Sequence, residues 1–196
     1  MKSFYYTPDV SSFPVVFLLF SHLRTLPFSA IMPVHPTGGG ILQQKSFPTA
    51  LKAAFPHTVP ILTGYLAVGL AYGLLMASKG YHFLWSGFVS AFAFCGSMQY
   101  VAITLLTTAF DPFSAFFLSL MVNARHLFFS LALLPKYRQL GRLRYFLIYT
   151  LSDENFSLSS TVEPPEDVDP TLFYFAMSLL TWLYWVVFSM LGGLIG

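Results

Sequence analysis

The chain has 196 residues, 56% of them hydrophobic and only 9% charged, with a mean hydropathy of +0.66. A water-facing surface needs about 25% charged residues, so this composition excludes an ordinary soluble domain and calls for lipid as the solvent. A net charge of +2 without a basic tract excludes a nucleic-acid-binding arm, and the one cysteine, Cys95, excludes an intrachain disulfide.

Residues 1–46 form a leader and linker rather than a regular span. The apolar run 13–20 is cut off by His22, Arg24 and Pro27, well short of the roughly 20 residues a crossing needs. Three readings stay open for it: a weakly ordered leader, a poor extra span, or a targeting segment without a clean cleavage site. The proline- and glycine-rich stretch 33–40 is linker by composition.

From residue 47 the chain reads as one all-α, polytopic membrane helix bundle of about five transmembrane helices, over 56–78, 83–110, 112–134, 145–162 and 171–194. The first carries Pro56 and Pro60 in its opening turn and the small-residue seam Gly69-x-x-x-Gly73. The second is too long for one straight crossing, and Gly96-Ser97 sits near its middle. A tilted helix and a helix broken at that glycine are both open. The third ends in a basic loop, 135–144, with four cations. The fourth is short and leads into the acidic, proline-broken loop 163–170. The excess of Lys and Arg places the first loop in the cytoplasm and the acidic loop on the other side. Lys79 agrees with this orientation; Lys45 and Lys52 do not.

Charges inside hydrocarbon cost about 2.5–3.5 kcal/mol each on insertion scales, so those retained there carry information. Arg125 lies about 14 Å and Asp153 about 12 Å from the same membrane face at ~1.5 Å per residue. Gln99 and Asn123 lie at matching depth from the other face, and Glu154 and His126 adjoin the charged pair. One salt bridge between helices needs fewer groups than this, and the surplus points to a polar cavity. A zwitterionic amino acid fits the set. Gln99, Asn123 and Arg125 supply donors for its carboxylate, while Asp153 and Glu154 meet its ammonium or carry a proton. His126 is the candidate proton relay. Trp182, Tyr184 and Trp185 sit mid-span, as plain packing or as an aromatic wall. The competing reading is a scaffold whose charges only hold helices together. No nucleophile, metal or phosphate-loop motif suggests an enzyme, a cofactor or direct ATP hydrolysis.

The segments Phe94-Cys-Gly-Ser-Met-Gln99, Val122-Asn-Ala-Arg-His126 and Leu151-Ser-Asp-Glu-Asn-Phe156 resemble, in order and spacing, the AzlC-type branched-chain amino acid permeases. The resemblance covers roughly residues 47–196. It implies the larger subunit of a two-component exporter of valine, leucine, isoleucine and sometimes methionine in the cytoplasmic membrane. It also implies a small AzlD-type membrane protein as partner. The leader is longer than the family's usual start. Members generally continue beyond the position of Gly196, so a truncated product is the expectation.

Overall fold

The computed structural model describes residues 46–107 and 111–196, all within one compact unit, 39–196. The expectations for the leader therefore lie outside the described residues, save for its last position, Ser46. Among the described residues every regular element is helical, as the sequence implies, and the molecule is an all-α membrane bundle.

Helix α1 (Phe47–Ser78) starts more than two turns before the expected boundary, with Ser46 as N-cap and Pro48 in the first turn, where its missing N–H is harmless. Pro56 and Pro60 consequently fall inside the helix. Helix α4 (Pro112–Arg138) is capped by Asp111, whose carboxylate accepts from the amides of Phe113 and Ser114. Helix α7 (Pro170–Ile195) is capped by Asp169. These three are long and apolar enough to cross a membrane.

The other two expected crossings take a different form. The second segment divides into α2 (Phe83–Ala93) and α3 (Gly96–Thr107). The fourth divides into α5 (Arg144–Tyr149), entered through a 3-10 turn at Gly141–Leu143, and α6 (Asp153–Thr161). The contacts show that each segment doubles back. Along α2, Phe83 lies against Gly193, Gly87 against Met190, and the Ala91 carbonyl accepts from the Trp182 indole. Helix α3 then returns: Gly96 faces Trp185, the Tyr100 hydroxyl reaches the Val68 carbonyl, and Ile103 joins Tyr72 and Met76. The fourth segment mirrors this from the opposite end. Phe146 of α5 meets Phe175 and Trp182, and α6 runs back alongside α4. Its successive contacts there are Asp153 with Arg125, Phe156 with Phe129, and Ser159 with Lys136 and Tyr137.

The chain is therefore α1 across, a hairpin in and out, α4 back across, a second hairpin from the far end, and α7 across again. The arms are about half a crossing long: α2, with 11 residues, extends about 16 Å at 1.5 Å per residue. This corrects the expectation that the loops 135–144 and 163–170 lie on opposite sides. Lys136 pairs with Glu163 at 3.4 Å and stands over the Tyr174 ring, so both loops occupy the end where α1 and α7 begin.

Helices α1 and α7 run parallel, start against start and end against end, from the Phe47–Phe175 ring pair to Gly73 beside Gly192 and Gly193. The small-residue seam on α1 meets a second one on α7. A Cβ added to Gly192 would stand 2.8 Å from the Leu70 Cα, and one on Gly69 would stand 2.9 Å from the Phe188 Cβ. Glycine is required here because two backbones touch.

Candidate functional site

Irregular backbone at membrane depth is tolerated only where protein buries it or a cavity receives it. Both hairpin tips satisfy that condition. In the first tip Phe94 is buried, with φ +28°, and closes α2 so that α3 can restart at Gly96. In the second, Thr150 and Leu151 are buried, and the Thr150 carbonyl is taken by the side-chain amide of Asn155 at 2.6 Å. Ser152 caps α6 by accepting from the Asn155 amide.

The two tips meet across a cavity of about 440 Å³, within the ~300–1,000 Å³ common for ligand pockets. Three sides can be described. Tip one supplies Phe94, Cys95, Gly96 and Ser97, with Tyr100 a turn later. Tip two supplies Ser152, Asp153 and Glu154. The long helices supply Pro60, Ile61, Gly64, Tyr65 and Val68 from α1, Arg125 and His126 from α4, and Trp185 from α7.

Arg125 joins the tips. One guanidinium nitrogen donates to Asp153 Oδ2 and the other to Ser97 Oγ at 2.7 Å. Glu154, the next residue, accepts from the Tyr65 hydroxyl at 2.9 Å, and that hydroxyl lies 3.3 Å from Ser152 Oγ. Arg125 Nε and Asp153 Oδ1 are buried atoms with no hydrogen-bond partner among the described residues. The first-turn amides of α3 and α6 also lack intrahelical acceptors and carry the positive ends of their helix dipoles. On α6 that end is already matched by Asp153 and Glu154, whereas α3 has no acid in its first turn. The cavity thus holds an electropositive corner at Gly96, Ser97 and Arg125, and an anionic corner at Asp153 and Glu154. Its remaining wall is mostly apolar, with the Tyr65, Tyr100 and Ser152 hydroxyls and the His126 ring set into it.

Of the residues singled out from sequence, Arg125, His126, Asp153 and Glu154 line this cavity. His126 leans edge-on to Phe129, with Nδ1 3.3 Å from the Asn123 carbonyl. Gln99 and Asn123 are not in the lining. Gln99 is 2% exposed, donates to Ser90 Oγ at 3.0 Å and accepts from the Trp185 indole at 2.6 Å. Asn123 accepts from the Cys95 thiol at 2.8 Å, pinning tip one to α4. Of the mid-span aromatics, Trp185 is the cavity wall, while Trp182 and Tyr184 bond to Ala91 and Thr58. Sequence reasoning missed Tyr65, Ser97 and Ser152. The serines stand directly before or within the first turn of a half-helix, a start signal that was there to be read; nothing local marks Tyr65. Among the described residues no three His, Cys, Asp or Glu side chains gather as metal ligands.

A family model described as AzlC protein matches residues 60–196, which include every residue of the cavity lining. The chain belongs to the AzlC family. It is 44% identical over 147 residues to the "Branched-chain amino acid transport protein AzlC" of Bacillus subtilis (strain 168), covering 75% of this chain and 58% of that protein. An uncharacterized membrane protein of Haemophilus influenzae is 36% identical over 148 residues, covering 75% of this chain and 61% of its own length. One of Helicobacter pylori (strain J99) is 38% identical over 150 residues, covering 76% and 66% respectively. The AzlC-like chain thus spans about three fifths of the length of these curated relatives. No solved structure matches it.

Proposed function

We propose that this chain carries the substrate site of a secondary transporter that exports branched-chain amino acids. Valine, leucine and isoleucine are the main substrates and methionine a further one. The observation that carries the reading is the Arg125 bridge between two broken-helix tips over a cavity that joins a paired cation and two acids to a mostly apolar wall. Discontinuous helices whose N-termini face a central site are how many secondary transporters hold zwitterions. The substrate carboxylate docks at Arg125, Ser97 and the α3 amides, its ammonium at Asp153 and Glu154, and its side chain along α1 and Trp185. Gln99 and Asn123 hold Trp185 and tip one in place, as positioning residues. His126 is the proton relay, and the energy comes from a gradient.

The chain resides in the cytoplasmic membrane beside a small AzlD-type subunit. Among the described residues the end shared by both loops carries Lys52, Lys136, Arg138, Arg142 and Arg144, against Lys79 at the other end. By the positive-inside rule that end is cytoplasmic. A scaffold would account for the ion pair but has no use for a cavity of about 440 Å³ beside it.

The test is counterflow of labelled valine in vesicles holding the chain and its partner. Saturable exchange that leucine and isoleucine inhibit supports the reading. Absence of exchange with correctly inserted protein overturns it.

A further inference from the structure

A glycine inside a helix weakens it relative to alanine, so each one present needs an offsetting reason. Most of the helical glycines described here have one in plain view. Gly69, Gly73 and Gly192 let backbones touch, Gly87 faces the Met190 side chain, and a Cβ on Gly96 would stand 3.2 Å from the Trp185 ring. Gly64 has none of these. It lies in the middle of α1, its φ is not in the left-handed region, and a Cβ built on it meets no described atom within 4 Å. It is one of the residues that line the cavity, between Pro60 and Val68 and one helical turn from each.

We propose that Gly64 is the specificity-determining position of the cavity. The side chain it lacks is the room that a branched substrate side chain occupies, and the size of residue 64 sets the largest amino acid accepted. This rests on the amino-acid reading above. The charged corners hold the groups common to all amino acids, so the α1 wall is where substrates are told apart. A methylene more or less in an apolar pocket changes affinity by about 10–200-fold.

The experiment measures alanine, valine and leucine binding to the native chain with its partner in lipid nanodiscs, beside Gly64→Ala and Gly64→Val. Melting temperatures are recorded in parallel. Gly64→Ala is expected to melt no lower than the native protein and to lower the leucine-to-alanine affinity ratio about tenfold. Gly64→Val is expected to lower it further while alanine binding stays within about twofold. An unchanged ratio overturns the proposal. So does an equal loss for all three amino acids, which marks Gly64 as a flexible point near Pro60. A fall in melting temperature for Gly64→Ala also overturns it, because the space is then not free. If the native protein binds none of the three, the amino-acid reading itself has failed. If it binds all three and only the ratios refuse to move, that reading stands and Gly64 alone is wrong.

Discussion

Replacing Arg125 and Asp153 together separates a transport site from a structural bridge. Removing one partner of a fully buried pair costs about 3–5 kcal/mol, largely through the charge left behind. Here the two side chains are 39% and 44% exposed, and exposed pairs contribute only about 0–1 kcal/mol. Arg125→Met alone is therefore expected to lose roughly 1–3 kcal/mol of stability, between those limits. Arg125→Met with Asp153→Leu leaves no orphaned charge, and an apolar pair of similar bulk can replace an ion pair at little cost. Its abundance and melting temperature should stay near native. Substrate recognition should not recover, because the guanidinium fork and the carboxylate are both gone. One charge-assisted hydrogen bond contributes about 1.5–3 kcal/mol, about 10–150-fold in affinity at 1.4 kcal/mol per tenfold. The assay is valine counterflow with the partner subunit present, read against membrane abundance. A double variant that inserts normally and exchanges valine within about threefold of native, well short of that loss, would refute the site assignment and favour the scaffold.

Three further outcomes follow from the geometry. Single cysteines at Arg142 and Glu166, in a Cys95→Ser background that keeps a donor for Asn123, should be labelled from the same side, and one at Lys79 from the other. Labelling of Arg142 and Glu166 from opposite sides would dismantle the second hairpin. Gly73→Ala and Gly192→Ala should each destabilise by about 1–3 kcal/mol through overpacking, read as a drop in melting temperature; an unchanged value would mean the α1–α7 seam is looser than described. Tyr65→Phe keeps the ring edge-on to Trp185 at 5.1 Å but removes the donor to Glu154. Abundance should hold while valine affinity falls at least several-fold, since bonds to charged groups contribute about 1.5–3 kcal/mol. Native affinity in that variant would take Tyr65 out of the site.

Helix content, the three full spans and the presence of a charged pair were legible because they depend on local composition. Lipid leaves few alternatives for runs such as 112–138, and Arg125 and Asp153 stand out against apolar neighbours. The hairpins were harder to read. A hydropathy window averages both arms of a re-entrant pair and the tip between them, so 145–162 reads as one short crossing. The local sign was the sequence Ser152-Asp153-Glu154, a helix start with acids in its first turn, placed where a span would be at its middle. Gly96-Ser97 was the matching sign in the second segment. The side assigned to 163–170 went wrong for the same reason: a full crossing over 145–162 would carry the chain to the other face, whereas a hairpin returns it to the end it left. With the second segment returning as well, Lys52 joins the basic loop at one end, and the conflict over Lys52 disappears. Gln99 and Asn123 were chosen by depth alone, and which way a side chain faces around its helix depends on neighbours that depth does not specify.

The glycine seam between α1 and α7 divides the molecule mechanically. Where two backbones touch, no layer of side chains lies between them to repack, so neither helix can slide past the other without separating altogether. They behave as a fixed post. Helix α4 is different: most of its surface is bare of protein, and it grips both tips through Cys95–Asn123, Ser97–Arg125 and Asp153–Arg125. Each tip is anchored in a hairpin that opens toward a different end of the molecule. On the transport reading proposed above, withdrawing one tip would open the cavity toward one end while the other tip stayed in place. On that reading the arrangement is that of an airlock, with two doors hung on one post and a single arginine as the bolt between them.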